Sequence, residues 1–444
     1  MGKQITMIGG GSSSFVPPLV RRLIESDILN DATLTLMDAN AERVDVMAKL
    51  ANKVIESEGS KLQVRSTTDQ RKALTGADFV ICAISVGGMS AWENDMEIPA
   101  RYGLVMHVAD SIGPGGIMRA MRNAPVSRDV ARDVSEVAPD AFVFNYTNPT
   151  TVEGLAMLTV PGVKAISLCS CNAAPSSAEW LAYQAGVEAD QIAMPPIVGG
   201  LNHCAAITAL RLRDGRDALA LARANVTEPI TKWGLDTYGV MPYCWSHWVE
   251  FHPGMQRLEE PYSGTAQGVK MRYGITTHSM AEQRARPREL SELADRWTAP
   301  DAGPVHLSDL PMGDEFEGIE VIDIIEAIVD NRHEVYVVNT RNGGAIPNLP
   351  AEAVVECSAM VDAYGVRAIQ SGPLPETLAA LLRQYVALQH QMVRAALSGD
   401  RDEVFRALLL DPTTQSVLDI DETAQLCDEL LAANAEFLPL FDRN

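Results

Sequence analysis

The spacing of apolar runs over about the first 170 residues constrains the fold most. Short apolar runs alternate there with amphipathic stretches, and the runs Thr33–Met37 and Asp78–Ser85 are typical of buried parallel strands. The other predicted elements are strands at 5–8, 62–66, 141–146 and 165–169 and helices at 17–25 and 41–58. This order predicts an α/β fold with a Rossmann-type, doubly wound parallel sheet.

The pattern changes after about residue 190. Ala206–Leu212 alternates in polarity and is followed by Arg-Asp-Gly, which predicts a hairpin. A polar, Pro-rich region at 284–314 is predicted to be an exposed loop. Helical periodicity returns at 319–329 and again in the tail from Pro375 onward. The second half is therefore predicted to be a mixed α+β region.

Length and charge limit the organisation and the partners. The 444 residues suffice for two domains, 1–190 for the nucleotide and 191–444 for substrate, metal and oligomerisation. Because 58 acidic residues outnumber 36 basic ones, the surface should repel nucleic acid and anionic membranes. A small-molecule partner is predicted, and the helical tail favours a homo-oligomer, a dimer or a tetramer.

The cysteines and the N-terminal residues bear on the compartment. None of the seven cysteines forms a CxxC pair, which favours free thiols in a reducing cytoplasm. The chain enters an apolar strand at once, with no basic region before it, and no stretch approaches the roughly 18 apolar residues of a membrane span. We therefore expect a cytoplasmic protein outside the membrane.

A glycine-rich turn, Gly9–Phe15, follows the first strand and opens a helix. Its backbone amides can approach a pyrophosphate, which the positive helix end then holds. Asp38 ends the second strand, where an acid bonds the ribose hydroxyls and rejects a 2′-phosphate. Together they favour NAD over NADP, although a plain strand-to-helix turn with a surface acid has the same sequence. The predicted cofactor-binding residues are Gly9, Gly11, Ser12, Ser13, Phe15, Asp38 and Asn145.

Two later segments have the character of ligand-binding loops. In Asp110–Arg122, glycines and two arginines one turn apart suit an anionic or polyhydroxyl ligand. Asn145–Thr150 follows a buried strand, at the sheet edge where doubly wound folds bind ligands. Asparagine can both donate hydrogen bonds to sugar hydroxyls and accept them. The alternatives are a tight loop before a solvated helix and a structural Asn-Pro turn.

Cys169 and His203 each emerge from an apolar run into small or polar residues. A thiolate and an imidazole meeting in one crevice could hold a divalent ion that binds the vicinal hydroxyls of a substrate. A single cysteine or histidine is more often a core residue. The residues by themselves leave both interpretations open.

Taken in order, these segments resemble glycoside hydrolase family 4, the NAD-dependent glycosidases of the lactate and malate dehydrogenase superfamily. The resemblance implies NAD, a divalent metal (usually manganese) bound by Cys169 and His203, and sugar contacts from Asn148. The residues that carry it are Gly9–Phe15, Asp110–Arg122, Asn145–Pro149, Leu168-Cys169, Gly200–His203 and Asn342–Pro350.

The implied mechanism explains why a dinucleotide fold should carry a metal. Hydride transfer from C3 of the sugar to NAD gives a ketone, which the metal polarises. The C2 proton then becomes acidic enough for a side-chain base, and the glycosidic oxygen leaves by elimination. Water adds and the hydride returns, so the family needs no pair of catalytic carboxylates.

Two segments resemble the α-galactosidase and α-glucuronidase branch of the family, namely Ser246–Pro253 and Asp110–Arg119. This implies an unphosphorylated α-hexoside or α-hexuronide. A uronate carboxylate could pair with an arginine, for which the candidates are Arg119, Arg122 and Arg341. The predicted substrate-binding residues are Asn148, Arg119 and Asn202.

The chain departs from the family at the base that removes the C2 proton. Phe251 stands where the family places a tyrosine, and Ser246 stands at the preceding acidic position. Because phenylalanine takes no proton, another group must act, and His252 is also nearby. The predicted catalytic residues are His247, Glu250, Tyr243 and Asp110.

Two other functions fit the same motifs. One is a conventional NAD-dependent sugar or hydroxy-acid dehydrogenase, since such an enzyme would share the fold. The other is a lapsed NAD-dependent sensor, for which Phe251 is the argument.

Overall fold

One mixed sheet forms the centre of the computed structural model, which describes residues 2–172, 176–310 and 320–441. Within these ranges the sheet has twelve strands. They are β1 (Gln4–Ile8), β2 (Thr33–Met37), β3 (Gln63–Thr67), β4 (Phe79–Cys82), β5 (Phe142–Asn145), β6 (Lys164–Ser167), β7 (Ile192–Leu201), β8 (Cys204–Leu212), β9 (Met241–Pro242), β12 (Glu334–Arg341), β13 (Val354–Asp362) and β14 (Gly365–Ala368). A separate ribbon pairs β10 (Lys270–Met271) with β11 (Ile275–Thr276).

The helices cover both faces of the sheet and form a C-terminal layer. They are α1 (Val16–Glu25), α2 (Ala41–Glu58), α3 (Gln70–Leu74), α4 (Gly88–Arg101), α5 (Gly113–Val137), α6 (Thr150–Met157), α7 (Ala178–Ala185), α8 (Ala218–Asn225), α9 (Pro229–Thr237), α10 (Trp245–Trp248), α11 (Ala281–Trp297), α12 (Val321–Val329), α13 (Glu376–Ser398), α14 (Arg401–Leu410), α15 (Pro412–Gln415) and α16 (Ile420–Ala433). No helix of the described ranges is long and apolar enough to cross a membrane.

The first half of the sheet is parallel, in the order β3-β2-β1-β4-β5-β6. This confirms the predicted Rossmann-type fold, and the strand order is that of dinucleotide-binding sheets. Only β4 is clearly shorter than predicted. After Cys82 the amide of Ile84 donates to the Thr147 side chain instead of a neighbouring strand, at 2.9 Å. That bond joins the ends of β4 and β5 at the ligand-binding edge.

The sheet continues into the second half of the chain without a break. Strand β12 pairs antiparallel with β6 through Asn339 and Ser167, and β13, β7, β8 and β9 follow. The predicted domain boundary at residue 190 lies just before β7. It stays a prediction, because the strands of both proposed domains belong to one sheet.

The hairpin predicted after Leu212 forms only as a turn without a second strand, in which the amide of Leu212 donates to the Arg216 carbonyl at 3.0 Å. Strand β8 pairs antiparallel with β7, and the turn between them is Asn202-His203. After Leu212 the chain makes only an isolated bridge, from Arg211 to Asp217, and then enters α8. Asp217 accepts hydrogen bonds from the first amides of α8, which favours a helix start over a returning strand. The turn between β7 and β8 places His203 at the edge of the sheet.

The loop predicted at 284–314 is also wrong over its first half, since α11 runs through 297 and contains Pro287. Leu290 and Ala294 are buried in a core cluster with α2 and α12, and Trp297 packs against that cluster. These positions repeat at helical spacing, and burial of the stripe offsets the cost of the proline. Residues 311–314 lie outside the described ranges, as does residue 319 of the next predicted helix.

The helical tail predicted from Pro375 is confirmed, beginning with α13. Its apolar face packs on α5 and α6 in the largest core cluster, which includes Met118, Leu382 and Met392. Since α5 begins at Gly113, this packing fixes the loop that carries Asp110. The tail therefore supports the candidate site from behind.

Candidate active site

The candidate site lies at the carboxyl ends of the parallel strands, where loops from both halves of the chain meet. Asp110 precedes α5, Asn148 follows β5 and Cys169 follows β6. His203 comes from the β7–β8 turn and His247 from α10. Strands β5 and β6 are neighbouring and parallel, so the residues that follow them reach the same edge of the sheet.

His203 is at the centre of two groups of potential metal ligands. Its ligand atom and those of Asp110 and His247 lie within 4.8 Å of one another, and so do those of His203, Cys169 and Cys171. A thiol, imidazoles and a carboxylate are the donors that first-row divalent metals take. His203 Nδ1 is 2.9 Å from Ser111 Oγ, which leaves Nε2 for a ligand. The residues present therefore fit a divalent ion.

The protonation of the two predicted metal ligands depends on their contacts. The hydrogen bond with Cys171, followed by burial, raises the pKa of Cys169 well above its ordinary value. Burial lowers the pKa of His203, but the nearby Cys169 and Asp110 raise it on balance. A divalent ion reverses this preference, because it binds the thiolate and the neutral imidazole.

Asp110 is held as an ionised acceptor. Its Oδ1 accepts from Ser111 Oγ at 2.8 Å, and its Oδ2 accepts from Asn148 Nδ2 at 2.6 Å. Burial acts to raise the pKa of Asp110, yet the charges of His203 and Arg119 bring it below the ordinary value. Asn148 is itself held in place, since its backbone carbonyl accepts hydrogen bonds from Arg119 Nε at 3.1 Å and from Asn123 Nδ2 at 3.0 Å.

The two arginines of α5 have different surroundings. Arg122 makes a buried, two-pronged ion pair with Asp95. It is therefore not available to pair with a substrate carboxylate, which corrects its place among the predicted candidates. Arg119 is also buried, with its guanidinium 5.3 Å from the centre of the Trp92 ring. Among the described residues Arg119 Nη1 has no hydrogen-bond partner. Arg341 ends β12 with an exposed side chain.

Glu250 and His247 form a pair beneath the site. Glu250 is fully buried, and its Oε1 accepts from the amides of Val108 at 2.8 Å and Ala109 at 3.0 Å. Glu250 Oε2 lies 3.9 Å from His247 Nδ1. Burial raises the pKa of Glu250, but His247 lowers it on balance. Burial lowers the pKa of His247, whereas Cys171 and Glu250 together raise it well above its ordinary value.

The structure places the other candidate bases outside this cluster. The hydroxyl of Tyr243 contacts Ser176, and its ring is fully buried in a separate apolar cluster. His252 packs among aromatic rings and bonds the carbonyl of Trp248 at 2.8 Å. Phe251 packs edge-on against Tyr385 in the core. The position of Phe251, where the family has a tyrosine, therefore does not indicate which residue of this chain acts as the base.

Two predicted ligand-binding asparagines bond to protein groups. Asn145 Nδ2 donates to the carbonyl of Thr147 at 3.1 Å and to Ser167 Oγ at 3.2 Å. Asn202 Nδ2 donates to Glu356 Oε1 at 3.1 Å. Both amides hold turns at the sheet edge, and their predicted contacts with cofactor and substrate stay predictions.

The glycine-rich turn has the close approach that the motif predicts. The amide of Gly11 donates to Asp38 Oδ2 at 2.9 Å. A Cβ on Gly11 would come within 2.8 Å of Arg43 Cβ, and a Cβ on Gly9, which has φ +93°, would meet the Ala83 carbonyl at 2.0 Å. Ser12 Oγ accepts from the amide of Phe15 at 3.2 Å. The turn before α1 is thus tight and is held by a hydrogen bond of its own.

A cavity of about 410 Å³ opens beside this turn. It lies between α2 and α11, a size that suits part of a dinucleotide. Its lining includes Gly11, Ser13, Asn40, Arg43, Met47 and Leu290. On the other side of the turn the Phe15 ring lies 5.1 Å from that of Tyr146, two residues before Asn148. The residues present therefore fit a dinucleotide.

Comparison with known proteins identifies the family. Residues 4–178 match the Family 4 glycosyl hydrolase and residues 198–414 match the Family 4 glycosyl hydrolase C-terminal domain. The chain belongs to glycosyl hydrolase family 4. This confirms the resemblance drawn from the motifs, and it makes the protein a glycoside hydrolase.

Several relatives of this family 4 glycosyl hydrolase align over nearly its whole length. It is 30% identical to an alpha-galactosidase of Bacillus subtilis (strain 168), covering 98% of this chain and 99% of the relative. An alpha-galacturonidase of the same strain is 29% identical, covering 96% of each. The crystal structure of the putative glucosidase lplD from Bacillus subtilis has a TM-score of 0.80 at 25% identity, covering 97% of this chain and 100% of that one.

A further solved structure shares the fold alone at 19% identity. It is a 6-phospho-alpha-glucosidase from gut microorganisms in complex with NAD and Mn²⁺, with a TM-score of 0.78 and coverage of 99% of each chain. The relatives of this family 4 glycosyl hydrolase thus include enzymes named for phosphorylated sugars and enzymes named for unphosphorylated ones.

Sequence reasoning missed three residues of the site in this family 4 glycosyl hydrolase. Ser111 orients His203, Cys171 joins the metal-ligand groups, and the His107 ring lies 5.2 Å from that of His247. Burial and then the charge of His247 lower the pKa of His107 to about 4, so this imidazole is neutral at pH 7. The Cys-x-Cys spacing was the available signal for Cys171; nothing local marked His107.

Proposed function

We propose that this enzyme cleaves an unphosphorylated α-hexoside or α-hexuronide with the help of NAD and a divalent metal ion. Mn²⁺ is the ion that we propose. The observation that carries the proposal is the cluster of Asp110, His203 and His247 within 4.8 Å, at the same sheet edge as the glycine-rich turn. Metal-type ligands beside a dinucleotide turn suit a redox route better than a two-carboxylate hydrolysis. The similar fold solved with NAD and Mn²⁺ supports this choice.

The cofactors have separate places in the proposal. Gly9, Gly11 and Asp38 would hold NAD at the start of α1, while Cys169 and His203 would hold the ion. When bound, NAD accepts and returns a hydride at the sugar, and the ion polarises the carbonyl.

Asp110, Asn148 and Arg119 bind and orient the sugar in this proposal. The ionised carboxylate of Asp110 accepts hydroxyl protons, and Asn148 holds that carboxylate in place. The Arg119 guanidinium supplies a buried positive charge whose Nη1 lacks a partner in the described ranges. A carboxylate on the sugar would pair with it, which supports the hexuronide option, as does the alpha-galacturonidase relative.

His247 is the base in this proposal, with Glu250 as the group that positions it. Glu250 faces Nδ1, so Nε2 is the atom that takes the proton. Burial acts to lower the pKa of His247, but Cys171 and Glu250 raise it on balance, which favours the protonated imidazole in the absence of an ion. A divalent cation nearby would lower that pKa by repulsion and prepare the imidazole to act as a base.

The decisive experiment measures p-nitrophenol release from α- and β-hexosides and hexuronides, with NAD and Mn²⁺ each omitted in turn under reducing conditions. We expect release from an α-glycoside to require both, without net NADH. Phosphorylated analogues serve as the specificity control.

Two results would contradict the proposal. Steady NADH accumulation from free sugars, without cleavage of any glycoside, would favour the dehydrogenase alternative. Preference for a 6-phospho-glycoside would reject the unphosphorylated substrate while leaving the glycosidase intact.

A further inference from the structure

We propose that Cys171, Cys244 and His247 form a second metal site, selective for a soft divalent cation such as Zn²⁺, beside the one attributed to Cys169 and His203. The ligand atoms of these three side chains lie within 4.8 Å of one another. The glycosidase proposal does not use Cys244, but it takes His247 Nε2 as its base, so an ion bound at this second site would inhibit the enzyme.

The distances are close to those of a zinc site. Cys171 Sγ lies 3.9 Å from His247 Nε2. With Zn–S of about 2.3 Å and Zn–N of about 2.0 to 2.1 Å, tetrahedral geometry places a sulfur and a nitrogen ligand about 3.6 Å apart. Movement of a few tenths of an ångström would therefore bring these two atoms to bonding positions.

The chemistry of the donors sets the selectivity. Two thiols and an imidazole favour Zn²⁺ over Mg²⁺ or Mn²⁺, which prefer oxygen ligands. Cys244 is buried, and Cys171 and His247 are partly buried, so the site is shielded from water yet remains accessible. Three protein ligands leave one position open in a tetrahedral site.

Two structured elements hold the ligands. Cys244 is the residue before α10 and His247 lies three residues further on, within one helical turn. The amide of Tyr243, next to Cys244, donates to the Ala205 carbonyl of β8 at 2.9 Å. Cys171 lies in the short 3₁₀ turn after β6.

Glu250 lies next to the other ring nitrogen of His247, without a hydrogen bond to it. Its carboxylate faces His247 Nδ1 at 3.9 Å, and two backbone amides fix the carboxylate. A carboxylate on one ring nitrogen leaves the other, Nε2, for the metal. Nε2 is the atom that faces Cys171.

Cys244 separates this site from its neighbour. Cys171 also lies within 4.8 Å of Cys169 and His203, so it could complete either set. Among the described residues Cys244 belongs only to the group with Cys171 and His247. Its substitution should remove one ion and leave the other.

Co²⁺ is the probe, because cobalt bound to thiolate gives charge-transfer absorption. Reduced, metal-free protein is titrated with Co²⁺ and then with Zn²⁺, and bound metal is counted. We expect two ions per chain, one in Cys244→Ser and one in Cys169→Ser, and none in the double variant. Cys427→Ser, a buried cysteine in α16, is the matched control and should bind two.

The result that overturns the proposal is an unchanged metal count and spectrum in Cys244→Ser. A single ion per chain, lost in both Cys169→Ser and Cys244→Ser, would also overturn it by showing one shared site. If Cys244→Ser fails to fold by circular dichroism, Cys244→Ala replaces it, with one ion again expected, because Cys244 belongs to this group alone among the described residues. Because binding is read without turnover, the result does not depend on the glycosidase proposal.

Discussion

At the scale of single residues, the surroundings decide the role of each candidate. Glu250 and His247 are three residues apart and both titratable, yet only His247 reaches Asp110 and His203. Glu250 is turned toward backbone amides and acts on the imidazole. A proposed catalytic group and its positioning residue therefore come from one short segment.

The first prediction concerns His247. His247→Gln should keep NAD binding but lower the exchange of the C2 proton in deuterated water by at least about 100-fold, the usual contribution of a general base. His333→Gln, on the exposed surface, is the control. Tyr243→Phe should change exchange little, since the tyrosine hydroxyl contacts Ser176. Full exchange in His247→Gln would reject His247 as the base.

Glu250 gives a second readout, because a positioning residue should shift a pH profile. Glu250→Gln removes a negative charge that raises the pKa of His247. The base is active when deprotonated, so the acidic limb of the rate profile should move to lower pH. An unmoved limb would assign Glu250 a purely structural part.

The next prediction concerns Asp38 and cofactor choice. Asp38→Asn keeps an acceptor for the amide of Gly11 but removes the charge that repels a 2′-phosphate. The ratio of the NADP Kd to the NAD Kd should fall at least about 10-fold, since bonds to a charged group contribute about 1.5 to 3 kcal/mol. Asp45→Asn, on the solvent side of α2, is the control. An unchanged ratio would mean that Asp38 does not contact the ribose.

At the scale of elements, caps and packing override sequence composition. Pro287 and many charges predicted a loop, but the stripe of Leu290, Ala294 and Trp297 folds as α11 against α2. That contact closes the cavity next to the glycine-rich turn. A helix that Pro287 disfavours thus closes the cavity beside the glycine-rich turn.

The short helix α15 has a buried cap that yields a stability prediction. Asp411 is fully buried, and its Oδ2 accepts from the amide and hydroxyl of Thr414, each at 2.7 Å. Burial raises the pKa of Asp411 to about 6. The unfolded chain loses this proton near its ordinary value of 3.8, so folded stability falls as pH rises from about 4 to 6.

Asp411→Asn should remove that dependence. Relative to the variant, the wild-type free energy of unfolding should fall by about 2 kcal/mol between pH 4 and pH 6. Urea midpoints of both proteins across this range test it, since all other titrations cancel. A constant difference would show that Asp411 is ionised at low pH in the folded protein.

At the scale of the whole molecule, the site depends on the continuity of the sheet. Cys169 follows a parallel strand of the first half, whereas His203 comes from an antiparallel turn of the second. An ion that binds both joins the two halves of the chain. Its free energy of binding therefore contributes to the stability of the whole fold.

The last prediction follows from this linkage. Saturating Mn²⁺ should stabilise the protein by about 2.7 kcal/mol at 100 times its Kd and raise the Tm, and a chelator should reverse the effect. His203→Gln should abolish the shift. His306→Gln, on the exposed surface, should retain it. A shift of equal size in both variants would locate the binding elsewhere.

Much of this protein could be predicted from the sequence because the signals are local. The periodicity of residues 33–37 and 41–58 gave the bounds of β2 and α2, and the glycine-rich motif predicted the turn that Gly11 and Asp38 close. Each depends on residues close in the chain, where strand period, helix period and turn geometry act directly.

The tertiary structure alone decided which distant groups meet. No local pattern marked His107, the motifs around Ser111 and Cys171 did not indicate which groups these residues meet, and Arg122 pairs with Asp95 instead of facing the site. The sequence by itself determined a family 4 hydrolase with a Rossmann-type sheet. Only the packed chain placed His247 beside Asp110 and His203 and the Tyr243 hydroxyl against Ser176, because burial and long-range hydrogen bonds depend on contacts that sequence spacing does not encode.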